Sequence, residues 1–212
     1  MNKEKKFTLK AVLIILALLP MSLAVLIIAL ITSNVVVSNL KRDIKDELII
    51  AAKALKEYYE YDIVNANDLV DGFIRYDTNY IDKMRLTGVD LTLFKGNIRF
   101  MTTIKDSNGK RIEGTPASTA VWNIVSAGND YYSDSVKIND IDYHVYYTPI
   151  QFATKIYGMA FSGKPATQIQ QTVINIYILI LSISAGLILI FGIIAFIAAK
   201  KIAEPLKEVT AR

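Results

Sequence analysis

Two long stretches of this chain carry no charged side chain, Ala11 to Leu40 and Pro165 to Ala199. Within the first, Ala11 to Ile31 is almost purely aliphatic. At about 1.5 Å per residue it forms about 31 Å of helix, enough to cross a bilayer's hydrocarbon core. Val173 to Ala199 reaches about 40 Å by the same rise, which implies a tilted span or an end standing proud. Tyr177, near its start, suits an interfacial anchor. Both stretches are apolar on every face, unlike the one-sided helices that pack a soluble core. A cleaved signal peptide is the rival for the first, because Lys3, Lys5, Lys6 and Lys10 make a basic start. The length of the apolar run and the lack of a clear A-x-A site favour an uncleaved anchor.

Charge then sets the orientation. Outside residues 33 to 172 there are 8 Lys/Arg and 3 Asp/Glu, against 16 and 17 within. The basic ends belong on the cytoplasmic side. The whole-chain charge of +4 is thus a topology signal. No basic stripe with interleaved aromatics accompanies it, so no nucleic-acid partner is expected. Residues 33–172 form the outer segment, long enough for one domain with its own core. The chain has no cysteine, so that core stands without disulfides, and thiol catalysis is excluded.

Leaving the first span, Val37, Leu40, Ile44, Leu48, Ala51, Leu55 and Tyr58 recur at steps of three and four among charged residues, the pattern of a long amphipathic helix. No proline falls between Pro20 and Pro116, so this helix can continue from the membrane span. A shorter helical piece is placed at Asn67 to Tyr76. After Gly88 the period changes. Val89 to Phe94 and Asn97 to Ile104 read as strands around the tight turn Lys95-Gly96. Arg111 to Thr115 is expected to return as a strand after the turn at Asp106 to Gly109. Pro116 to Ala127 reads as a short helix closed by Gly128. Tyr131 to Ile138, Tyr143 to Ile150 and Ile156 to Ser162 complete the strands. Helices first and an antiparallel sheet afterwards define an α+β domain.

The runs Asp90 to Lys105, Gly109 to Thr115, Tyr143 to Ile150 and Gly158 to Gly163 resemble the single-Cache sensor domain, a PAS-like extracytoplasmic fold of chemoreceptors and sensor kinases. The resemblance implies a long N-terminal helix packed on a curved antiparallel sheet. The pattern resembles the single-Cache group common in methyl-accepting chemotaxis proteins. Downstream, Ala199 to Thr210, with Pro205-Leu206 after the second span, resembles the opening of a HAMP connector. That likeness implies a fragment of a longer receptor whose cytoplasmic signalling partners act through a region after Arg212. The expected organisation is a cytoplasmic N-terminus at 1–10, a first transmembrane helix at 11–32, the sensor domain at 33–172, a second transmembrane helix at 173–199 and the start of the connector at 200–212.

Catalytic chemistry has little footing. His144 is the sole histidine, and no G-x-S-x-G, P-loop or H-E-x-x-H pattern is present. No enzyme activity, cofactor or metal is expected. A small-molecule site has better footing. Similarity to citrate-type Cache sensors implies Arg99 as a contact to a ligand carboxylate, with Thr102 standing where those sensors carry histidine. A guanidinium suits a carboxylate because it offers parallel donors in a planar fork. A solvated arginine on a strand face is the competing reading. Strand alternation places Arg99, Met101 and Thr103 on one face and Thr102 on the other, so Arg99 and Thr102 cooperate only across a bulge, and Thr103 is a candidate too. Tyr143 and Tyr147 share a face and suit pocket walls, with ordinary sheet packing as the alternative. Trp122 either caps the site or anchors the core. Arg111 and Thr115 read as mainly structural.

These features predict a sensor portion in the cell's inner membrane, two-pass, with its domain outside. It would bind a small molecule, such as a carboxylate, and assemble as a homodimer along the amphipathic helix. Chemoreceptor is the first expectation for output. A histidine kinase or cyclic-dinucleotide enzyme receptor, or a structural module without ligand, are the alternatives. Reporters fused before Lys10 and after Arg212 are expected to read cytoplasmic, and one inserted near Asp106 external. A processed N-terminus near Thr32 overturns the two-span reading.

Overall fold

The computed structural model describes residues 9–65, 76–85 and 88–210. Its elements run α1 (Leu9–Asn65), α2 (Thr78–Met84), β1 (Asp90–Lys95), β2 (Ile98–Thr102), α3 (Thr119–Val125), β3 (Tyr131–Ile138), β4 (Ile141–Phe152), β5 (Lys155–Pro165) and α4 (Ala166–Thr210). The chain divides into two compact units, the stretches up to Asn39 and from Thr172 onward, and Leu40–Gln171.

In the first unit both helices are long and apolar enough to cross a membrane, and their large aliphatic side chains are mostly exposed. Small side chains mark the buried positions, Ala29 and Ser33 on α1 and Ser184, Ala195 and Ala199 on α4. That is the composition expected where helix backbones approach closely in lipid. Pro20 lies inside α1 without ending the helix.

The second unit is built on a five-stranded sheet in the order β2-β1-β5-β4-β3, every pair antiparallel. Both faces are covered, so β1, β4 and β5 show unbroken runs of buried residues in place of strict alternation. One face meets α1. Leu48, Ala52, Leu55 and Tyr59 are fully buried there at helical spacing, and Ser162 Oγ on β5 donates to Leu48 O at 2.6 Å. Lys164 Nζ on β5 pairs with Glu47 Oε2 at 2.7 Å. The opposite face carries Phe94, Val145, Tyr147, Met159 and Phe161, which pack under Ala117, Val121 and Val125 of the segment between β2 and β3. Ser118 caps α3 there, accepting from Val121 N at 3.3 Å.

Two expectations from sequence need correction. Arg111 to Thr115 is not a strand: it makes a single isolated bridge, Arg111 to Lys105, and Pro116 just beyond it makes another, to Ile98. Gly109 and Gly114 hold positive φ of 79° and 76° and turn the chain instead. Strict alternation in β2 also fails. Phe94 pairs with Arg99 and Leu93 with Met101, which leaves Phe100 as the extra residue of a bulge. Arg99 and Thr102 therefore share the face of Phe94 and Thr92. α2 is an element the sequence pattern missed. The helix placed at Asn67 to Tyr76 falls, up to residue 75, outside the described residues, and Tyr76 itself is not helical.

β1 passes tightly against β5 where Lys95 pairs with Gly158. A Cβ at Gly158 collides with the Phe94 carbonyl. Gly158→Ala is accordingly expected to destabilise the domain by about 3 kcal/mol or more, read as a lowered unfolding midpoint of the full chain. An unchanged midpoint shows that the two strands separate without penalty.

Candidate functional site

The bulge at Phe100 delivers Arg99 into a cleft of about 320 Å³ on the sheet face opposite α1. Ile112, Thr115 and Ala117 form one wall, Val136 and Lys137 the other, and Tyr147 lies beside Arg99. Two structural reasons place these residues together. The glycine turns at 109 and 114 fold the β2–β3 connection back over the sheet. The β3–β4 hairpin, turning through Asn139 and Asp140 at positive φ of 50° and 62°, brings the end of β3 to the rim.

Arg99 is only 8% exposed. Nη1 donates to Thr115 Oγ1 at 2.7 Å and to Pro116 O at 3.5 Å. The Phe94 ring lies 5.3 Å from Cζ, a cation–π arrangement. Nε is enclosed and makes no hydrogen bond. No carboxylate among the described residues pairs with this guanidinium. Burial pushes its pKa down, and the neighbouring Tyr147 opposes that shift. Arginine nevertheless remains a cation at any physiological pH. The cleft thus presents a desolvated positive charge backed by neutral acceptors, an arrangement that favours an incoming anion.

Of the candidates read from sequence, the cleft collects Arg99 and Tyr147. The others lie elsewhere. Thr102 is fully buried, its hydroxyl 2.6 Å from that of Thr92. Thr103 Oγ1 donates to Asp90 Oδ1 at 3.0 Å and accepts from Leu91 N at 2.9 Å. Tyr143 donates to Asp90 Oδ2 at 3.1 Å. Arg85 Nη2 completes that cluster, 3.1 Å from Asp90 Oδ1. Trp122 is half-buried against the core under α3. Thr115, Ser118, Lys137 and Asn139 line the cleft without having been singled out for a ligand. The glycine spacing around Thr115 was the one available signal.

The loop wall is braced from outside the cleft. Arg111 Nη2 binds Asp82 Oδ2 of α2 at 2.5 Å and its Nη1 donates to Thr102 O at 2.5 Å. Tyr76 Oη donates to the Glu113 carboxylate at 3.0 Å. Ile112, between these two anchors, faces the cleft. Among the described residues no cluster of His, Cys, Asp and Glu suits a metal ion.

Comparison with known proteins agrees with this architecture. Residues 61–176 match the family model described as single cache domain 3. That match covers more than half of the chain, which therefore belongs to the single-Cache family of sensor domains. No curated protein matches the chain. The ligand-binding domain of the Campylobacter jejuni chemoreceptor Tlp3, solved with 4-methylisoleucine, is similar with a TM-score of 0.50 at 11% identity. The alignment covers 81% of this chain and 66% of that one. The same domain with L-valine gives 0.45 at 11% identity, over 72% and 66% of the two chains. The Escherichia coli DcuS sensor domain gives 0.33 at 15% identity, over 46% and 71%. The chain spans about two thirds of the Tlp3 domain's length, and at such identities the likeness concerns the fold.

The Tyr147 phenol is pushed up to about 12 from its ordinary 10.0, chiefly by burial. The folded state therefore keeps a proton that the unfolded state releases. Its contribution to stability is complete below about pH 10 and declines as pH rises towards about 12. Alkaline unfolding curves are expected to steepen over that window, and Tyr147→Phe to lose this part of the slope. Identical slopes for both proteins overturn the assignment.

Proposed function

We propose that this chain is the sensor portion of a transmembrane chemoreceptor, with residues 33–172 outside the cytoplasmic membrane, and that its cleft binds a small organic anion through Arg99. The carrying observation is the buried guanidinium without a carboxylate partner among the described residues, aimed into a cleft of metabolite size. A bound carboxylate supplies the missing counter-charge within a partly desolvated pocket, where charge-assisted hydrogen bonds are strong. Tyr147 offers an apolar body beside it.

Signal transfer in this reading runs through backbone continuity. β5 passes into α4 with no residue between them, and α1 is a single helix from Leu9 to Asn65. A ligand that prefers one arrangement of the sheet shifts the equilibrium of the second membrane span against the first, by no more than its differential affinity for the two states. Residues 200–212 open a HAMP-type connector to the cytoplasmic partners. The outward residues Ile50 and Tyr61, 69% and 67% exposed, support a homodimer along α1. Sensing is the function, with no catalytic step in the domain.

The decisive experiment screens organic acids by thermal shift on the full chain in lipid nanodiscs, since binding to the native state raises apparent stability. For the acid found, Arg99→Ala is expected to weaken binding by about 2 to 5 kcal/mol. Arg99→Lys is expected to bind poorly too, because it keeps charge but loses the planar fork. Normal binding by a folded Arg99→Ala protein refutes the anion-holding role.

A further inference from the structure

We propose that Thr115 is the positioning residue of this cleft: it fixes which edge of the Arg99 guanidinium meets an anion. The inference rests on the reading of Arg99 as the anion-holding group, and it adds a residue that no sequence motif assigns.

Four observations carry it. The main chains of the two residues are locked in register, with Arg99 N donating to Thr115 O at 2.9 Å and Gly114 N to Arg99 O at 2.8 Å. The Thr115 hydroxyl has one proton, and it is committed to Ile112 O at 2.8 Å. Its lone pairs are therefore all that it can offer to Arg99, whose Nη1 they hold at 2.7 Å. Thr115 is itself exposed, so core packing does not explain its position.

The consequence is geometric. Nη1 is spoken for by Thr115 and Pro116, Nε is enclosed, and the Phe94 ring occupies one flat side. Nη2, which has no partner among the described residues, is the donor left to face the cleft. A side chain as long as arginine samples many rotamers when free, and ordering it is a large part of what binding must offset. Thr115 does that ordering in advance. Because the same hydroxyl ties down Ile112, which also lines the cleft, it sets the arginine and the adjacent wall at one spacing.

The test uses the full chain in nanodiscs labelled with [15N]arginine, with the Arg99 Nε–H resonance assigned by its disappearance in Arg99→Lys. In the unmodified protein that resonance is expected to be shifted and slow to exchange. Thr115→Val, which replaces the hydroxyl by a methyl group, is expected to move it to the position of a free side chain. Thr115→Ser, which keeps the hydroxyl, is expected to restore it. With sodium acetate as the probe and sodium chloride at matched ionic strength as the control, Thr115→Val is expected to bind about tenfold more weakly and Thr115→Ser about as well as the parent. If Thr115→Val disturbs the other arginine resonances through misfolding, Thr115→Ala takes its place. An unmoved Arg99 resonance in the Val or Ala protein overturns the proposal, whether or not acetate binds. Unchanged acetate affinity in Thr115→Val, beside a loss in Arg99→Ala, overturns it while leaving Arg99 in its role. Unchanged affinity in Arg99→Ala overturns the anion site itself.

Discussion

The sensor domain depends on a central strand hydrogen-bonded on both sides. β5 pairs with β1 from Gly158 to Gly163 and with β4 along nearly its whole length, so its backbone polar groups are satisfied within the sheet. Its side chains then serve two cores at once. Ala160 and Ser162 face α1, while Met159 and Phe161 face the β2–β3 connection. Each layer is stabilised by burial against this one strand, and neither could be removed without exposing it. Glycine at 158 is part of the same constraint, because the β1 backbone passes where a side chain would stand.

A sheet covered on both faces leaves little room for charge, and Arg99 and Asp90 show two solutions. Asp90, 5% exposed, is surrounded by Arg85, Thr103 and Tyr143, so its charge is compensated locally. Burial together with that carboxylate raises the Tyr143 phenol well above its ordinary value. Arg99 is solved only in part, through a threonine hydroxyl, a carbonyl oxygen and a ring face. A compensated ion fixes structure, whereas an uncompensated one retains a capacity for binding.

Sequence periodicity revealed much of this architecture, for physical reasons that differ along the chain. The two long apolar helices were legible because length and uniform apolarity, the features a bilayer's thickness demands, stand out in any sequence. β3, β4 and β5 were legible from their β-branched and aromatic runs between turn residues. Arg99 was singled out only through family resemblance, since a lone arginine in a strand has no distinguishing pattern. The bulge at Phe100 has no local signature, and it changed which neighbours Arg99 keeps: Phe94 beside it, Met101 on the reverse face. Thr115 was hidden because its role arises from a loop folding back over the sheet, a contact across 16 positions. α2 is seven residues long, too short for helical periodicity to stand out; what identifies it is the Asp77 side chain accepting from Asn79 N at its start.

One wall of the cleft is a loop, braced by Arg111 on Asp82 and by Glu113 on Tyr76, while the floor is sheet. Loops accept substitution and changes of length far more readily than paired strands, whose register is fixed by burial on both faces. Divergence among descendants of such a chain can therefore begin in the loop that precedes Ala117. New chemical preferences would arise there by drift in the wall, while the strand that leads into α4 stays as it was.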